Sequence, residues 1–367
     1  MTAFDWNGWL AGLRAEHLPD GRLGVWEIEV QRPPDGAPRL TGRTSATDAV
    51  DAIRRETAAR GAETAVGTIP DAAVGDEIRA VARRSLAHLR RQPRHAAELV
   101  SQMLMGEEAL VLRTAGSWLQ VQTADRYVSW VHEGYLLRTA PADAGDFRAR
   151  LFGRRPPEGT WVVVQRGLVA RDSADPGAPP AADLVEGARV TASSRNGALR
   201  LTLPDGTTAW VREGAAVPAE GLSERFPPTG RAILDHAAGF LGLSYLWGGT
   251  SEKGFDCSGL VQRISALHGV FLPRDSDQQA RMGEPVDAGR DGSGIRDGDL
   301  AFFAEPPGDR VTHVGILGRG GRMLHAATTR GGVAWDALYA GAPGFSPFGE
   351  RLRTWLTAIR RVAPEQG

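Results

Sequence analysis

One cysteine, Cys257, and two histidines downstream of it, His313 and His325, have the types and spacing that suit nucleophilic catalysis. Cys257 lies where a glycine-broken stretch, Tyr245 to Asp256, runs into an amphipathic segment with Leu260, Val261, Ile264 and Leu267 on one side. That periodicity predicts a helix carrying the thiol in its first turn. Exposed N–H groups and the helix dipole favour the thiolate there, and the thiolate is the nucleophile. A free thiol with a pKa of about 8.5 is only a few per cent ionised at pH 7, so a drop of roughly two units makes the anion dominant. A nearby imidazolium deepens such a shift.

The base must sit on a rigid element within reach. Val311-Thr-His313-Val-Gly-Ile-Leu317 reads as a buried strand, and after the turn Gly318-Arg-Gly-Gly321 a second strand, Met323 to Ala327, carries His325. A hairpin centred on Arg319 sets His313 and His325 opposite one another on one face. Cys257 then attacks, His313 exchanges the proton, and His325 orients and polarises His313. The oxyanion is met by the N–H of Cys257, with the second donor left open. One thiolate and two imidazoles are also legitimate zinc ligands, but no Cys-x-x-Cys or His-Glu-x-x-His spacing supports a metal, and no cofactor is expected. The competing reading of Cys257 alone is an inert core thiol. His236 and His268, on predicted helices, read as ordinary surface or packing residues.

The elements that position these groups follow from periodicity. Thr229 to Gly242 places Ile233, Leu234, Ala237, Phe240 and Leu241 at helical spacing ahead of the reactive loop. Near the N-terminus, residues 22 to 32 alternate as a strand, and Ala49, Val50, Ile53 and Thr57 mark a helix begun by a capping box at Ser45 and Asp48 and stopped by Gly61. From Gln102 short β segments separated by turns indicate a small barrel. A fainter copy runs from Trp161 to Val217, interrupted by Asp175-Pro-Gly-Ala-Pro-Pro-Ala-Ala, which reads as an irregular exposed loop.

Five ordered motifs carry a resemblance: Tyr245 to Gly249, Asp256 to Leu260, Leu272 to Gln278, Gly298 to Phe303 and His313 to Ile316. Here the chain is similar to the NlpC-type cell-wall peptidases, a papain-like family that cleaves γ-D-glutamyl bonds in bacterial peptidoglycan. Gly106-Glu107, Trp118 to Val121 and Tyr127 to Val131 resemble bacterial SH3-like domains, with Ser129 in place of the usual glycine. Periodicity, the repeat and the resemblance together give an α+β chain: an N-terminal α+β segment (1–80), a first SH3-like barrel (81–140), a second, divergent one (141–222) and a papain-like NlpC-type domain (223–367). The combination resembles the γ-D-glutamyl-L-diamino acid endopeptidases of murein recycling, which require a free N-terminal L-Ala. By motif position, Glu98, Tyr127 and Asp256 would hold the substrate ammonium, with Glu107 a second candidate for the barrel acid. Ser258 would touch the substrate backbone, and Tyr245, Trp247 and Ser276 would line the pocket. A buried ammonium needs a carboxylate partner, which makes the scheme physically sensible. Asp256 has a competing role as a helix cap.

The whole chain sets the frame. At 367 residues it exceeds one ordinary core. A formal charge of -1 gives no field toward nucleic acid or anionic lipid, and Lys253 is the sole lysine. A lone cysteine excludes an intrachain disulfide. No run approaches ~20 apolar residues, and the first residues lack the pattern of a signal peptide, so a soluble cytoplasmic enzyme is expected, with no membrane or nucleic-acid partner. Three functions compete: a recycling endopeptidase on free peptides, a hydrolase of intact wall, and a wall-peptide-binding protein with a silent cysteine fold.

Overall fold

The structure, a computed structural model, describes residues 4–34, 36–289, 291–306 and 308–364. Helices and sheets are mixed, and the chain forms two compact units. The first takes the residues up to Val81 together with 90–97 and 108–155; the second takes 82–89, 98–107 and 156 onward.

The first unit opens on a helix, Trp6–His17, whose Trp6, Leu10 and Leu13 pack with Leu40, Ile53 and Val66. Strand Trp26–Gln31 pairs antiparallel with Arg39–Thr44, and Glu63–Thr68 joins in parallel after helix Thr47–Ala59. That helix buries the four residues expected of it, but it has no capping box. Its N-cap is Ala46, and the Ser45 hydroxyl instead accepts from the Val25 N–H at 2.9 Å, tying the helix entry to the strand. Strands Glu108–Ala115, Trp118–Thr123 and Val128–His132 form an antiparallel meander. Ser129 lies inside the last of these, opposite Val121, so it continues a strand rather than making a turn.

In the second unit, residues 160–218 form a seven-stranded antiparallel sheet around Leu184, Val185, Leu199, Leu201 and Val211. Its edge strand is Pro180–Leu184, paired with Leu168–Arg171. The proline-rich stretch is therefore partly regular. Proline is tolerated there because it begins an edge strand, where no neighbour needs its N–H.

The rest of this unit is helices on a sheet. Helix α1 (Gly230–Ala238) is capped by the Thr229 hydroxyl, and helix α2 (Cys257–Leu267) follows the reactive loop. Strands β1 (Leu300–Phe303), β2 (His313–Leu317), β3 (Arg322–Ala327), β4 (Gly332–Ala337) and β5 (Leu356–Arg361) form one sheet in the order β5-β1-β2-β3-β4, with Glu284–Pro285 outside β5. Leu260, Val261 and Ile264 of α2 pack with Phe302, Val314, Ile316 and Leu324. Ala301, Phe303, Leu317, Met323 and Ile359 bury the sheet's other residues. Leu241, expected inside, is 50% exposed, because α1 ends at Ala238 and the chain turns before the helical face repeats.

His236 and His268 are not surface residues. His236 Nδ1 meets His268 Nε2 at 3.1 Å, His236 Nε2 meets the Glu186 carboxylate at 2.9 Å, and His268 Nδ1 meets the Pro227 carbonyl at 2.6 Å. Phe226 stacks on His236 with ring centroids 4.8 Å apart. This network joins Glu186, the chain at residues 226–227 and both helices.

Candidate active site

Cys257 is the first residue of α2 and is buried. The preceding Asp256 caps the helix by accepting from the Gly259 N–H at 2.6 Å. Gly259 is required by close approach: a Cβ there would lie 2.1 Å from the Gly249 carbonyl oxygen, so the helix start can rest on the reactive loop only without one. The thiol lies against the backbone on either side of His313, 4.0 Å from the Thr312 carbonyl and within reach of the Val314 N–H. Among the described residues the Sγ contact is with that carbonyl rather than with the His313 ring, a looseness common before substrate binds.

The hairpin differs in register from the sequence expectation. Ile316 pairs with Leu324 and Leu317 with Met323, which centres the loop on Gly320 instead of Arg319. Moving the centre by one residue shifts the pairing by two, so both histidines keep the same face but become diagonal neighbours. They still meet, with His313 Nε2 2.7 Å from His325 Nδ1. His325 Nε2 lies 2.9 Å from Asp336 Oδ2 on β4. Arg330 donates to the same carboxylate from Nε at 3.0 Å and from Nη2 to the other oxygen. Both nitrogens of His325 are thus engaged, leaving none for a zinc ion.

Burial pushes the Cys257 thiol up to about 12, with the Asp256 carboxylate adding to it, against the N–H groups of Val314 and Ser258. Burial, and then His325, bring His313 down to about 3, with Asp336 opposing. The expectation of a thiolate lowered by the helix start is therefore not met in the free site. Desolvation outweighs the dipole, and the resting pair is a neutral thiol and a neutral imidazole.

Asp256 also accepts from the Gly248 N–H at 2.9 Å, from Ser258 Oγ at 3.3 Å and from Arg274, whose Nη1 and Nη2 lie 3.1 and 2.5 Å away. Arg274 is 1% exposed and donates as well to Ser258 Oγ at 2.8 Å and Ser101 Oγ at 3.2 Å. Its position inside the Leu-Pro-Arg-Asp-Ser motif was its only signal in the sequence. Asp336 and Arg330 had none, because their proximity depends on the register of two hairpins.

Tyr245 sits beside Cys257 and Asp256, and burial, then these two acidic neighbours, hold its phenol above the usual range. Trp247 is 61% exposed and donates from Nε1 to Glu98 at 2.9 Å. Glu107 is tied elsewhere, to Arg263 of α2 at 2.5 Å. Ser276 is buried as the first residue of the short helix Ser276–Gln279, whose N-cap Asp275 completes a capping box with Gln278. The structure therefore brings Cys257, His313, His325, Asp256, Ser258 and Tyr245 together and joins Glu98 to Trp247. Tyr127 belongs to the first unit, where it is 3% exposed.

A thiol at a helix start, against a strand histidine backed by a second polar ring, defines the papain-like class of cysteine hydrolases. Residues 242–344 match the NlpC/P60 family and residues 89–136 match the bacterial dipeptidyl-peptidase Sh3 domain. A γ-D-glutamyl-L-lysine dipeptidyl-peptidase of Bacillus subtilis (strain 168) is 30% identical over 247 residues, 62% of this chain and 72% of that relative. The chain belongs to the NlpC/P60 family, a family of cysteine peptidases. A Bacillus cereus protein of the same name is 35% identical over 147 residues, 40% of this chain, and the match spans 42% of that relative's length. In fold, the crystal structure of an NlpC/P60 family protein from Bacillus cereus covers 78% of this chain and 100% of that one, with a TM-score of 0.61 and 24% identity.

Proposed function

We propose that the protein is a cysteine endopeptidase that hydrolyses the γ-D-glutamyl-L-diamino acid bond of peptidoglycan-derived peptides with a free N-terminal L-Ala, acting in murein peptide recycling in the cytoplasm. The observation that carries this reading is the Cys257 thiol seated against the backbone that flanks His313, with the His313 ring bonded to His325. The names of the two Bacillus relatives support the bond type.

In this scheme His313 takes the Sγ proton as sulfur attacks the γ-carbonyl carbon of D-Glu. The oxyanion is met by the Cys257 N–H, one of the helix amides without an intrahelical acceptor, and by the Tyr245 hydroxyl, which keeps its proton because its pKa is raised. His313 then passes the proton to the leaving amine, and a thioester remains. Water, deprotonated by His313, attacks the thioester, releasing the D-Glu γ-carboxylate and restoring the thiol. Asp256 already faces Arg274, so the carboxylate for the substrate ammonium is assigned to Glu98 beside Trp247, with Ser258 and Ser276 lining the approach.

The deciding experiment compares hydrolysis of L-Ala-γ-D-Glu-L-lysine or its diaminopimelate analogue with the N-acetylated peptide. Cleavage of the free peptide alone is expected, and Cys257→Ala is expected to be folded and inactive. Equal cleavage of both would remove the free-amine requirement, and digestion of purified sacculi would favour the intact-wall alternative.

A further inference from the structure

We propose that Asp336, gripped by Arg330, is a positioning residue that fixes the tautomers of His325 and His313 and so decides which nitrogen of His313 receives the Cys257 proton. The proposal rests on reading His313 as the base, and it extends the site to a third strand. His313, His325 and Asp336 lie diagonally across β2, β3 and β4: continuing the pairing of Ile316 with Leu324 sets Gly315 opposite His325, while Met323 faces Asp336. Each step is one diagonal, the reach of a ring or carboxylate on one face of a twisted sheet.

The direction of the chain follows from proton counting. A carboxylate only accepts, so His325 Nε2 must carry hydrogen to bond Asp336 at 2.9 Å. When each ring carries one proton, His325 Nδ1 is then a lone pair, and the 2.7 Å contact is a hydrogen bond only if His313 Nε2 donates. His313 Nδ1 is thereby left as the basic nitrogen. Were Asp336 a donor, every bond would reverse, and His313 would carry its proton on Nδ1 and lose its base function.

The carboxylate is built to stay an acceptor. Its side chain is 1% exposed, as is fitting for a group working in a dry relay. Burial opposes its charge, but hydrogen bonds from His325 and Arg330 outweigh that and hold it below the usual carboxylate range. The guanidinium of Arg330 presents two donors to the carboxylate, which occupies lone pairs that would otherwise be unsatisfied and fixes the plane of the group.

The test reads tautomers directly, without substrate. Ring 15N–1H correlation spectra of the full-length protein, with its eight histidines 15N-labelled, are expected to show His313 and His325 both protonated on Nε2. In Asp336→Asn the amide can donate, and His313 is expected to convert to the Nδ1–H form, with kcat falling about 10²-fold, the low end of what a positioned base contributes, and KM little changed. His313 protonated on Nδ1 in the unaltered protein would overturn the proposal whether or not the variant folds. So would an Asp336→Asn protein with unchanged tautomers and an unchanged pH profile. Failure to cleave γ-glutamyl peptides would instead sink the substrate assignment and leave the tautomer result standing.

Discussion

Cys257 and His313 form a pair whose burial keeps both groups neutral at rest, the thiol pushed up to about 12 and the imidazole held down to about 3. A thiol with a raised pKa is protonated at neutral pH, so its nucleophilicity grows as pH rises. Without substrate, the rate of Cys257 alkylation by iodoacetamide is expected to climb about tenfold per pH unit above neutrality, with no plateau in the acid range. A plateau between pH 4 and 8 would show a preformed thiolate–imidazolium pair and overturn this picture. In the proposed mechanism, substrate closes the gap between sulfur and ring, so that proton transfer and attack occur together.

The start of α2 is held by a buried ion pair and a glycine contact, and each carries a prediction about an element. Replacing Arg274 by Ala strands the Asp256 carboxylate without its cation, and the expected loss is about 3–5 kcal/mol, read as a lower midpoint in urea denaturation. An unchanged midpoint would mean that the cap bonds to Gly248 and Gly259 suffice. Gly259→Ala places a Cβ on the Gly249 carbonyl, which must shift the helix that carries Cys257; peptidase activity is expected to fall more than stability. Beside helix α1, His236 Nε2 meets the buried Glu186 carboxylate at 2.9 Å, and that contact anchors the helix to the 160–218 sheet. Glu186→Gln is expected to cost about 1–3 kcal/mol, measured by thermal denaturation at neutral pH.

Across the molecule, buried or half-buried carboxylates tie elements together in both units. Glu108 sits between Arg79 and Arg150 in the first; Glu107 with Arg263, and Asp336 with Arg330, lie in the second. In each, burial works against the charge, and the arginines and hydrogen bonds overcome it, lowering the pKa. A depressed carboxylate contributes stability that is fully present above the unfolded pKa and is lost as pH falls through the folded one. Thermal midpoints are therefore expected to hold from neutrality to about pH 5 and then decline steeply. A flat profile to pH 3 would show that these pairs add little. No helix among the described residues is long and apolar enough to cross a membrane.

What the sequence determined by itself was local. The helix of Cys257, the strand of His313 and the order of the motifs are legible because apolar periodicity and glycine placement act over a few residues. The same locality explains the misses. The local pattern at Ser45 suggests a capping box, but its hydroxyl is taken by Val25 from a distant strand, and the proline-rich loop expected from Asp175 to Ala182 is regular from Pro180, where an edge position allows it. Hairpin register, and with it the diagonal line from His313 to Asp336, depends on where a loop of glycines closes, and no pattern within either strand encodes that. Only the tertiary structure could bring Arg274 to Asp256 and Arg330 to Asp336, and only burial, a property of the packed whole, could push the Cys257 thiol up and favour its protonated form.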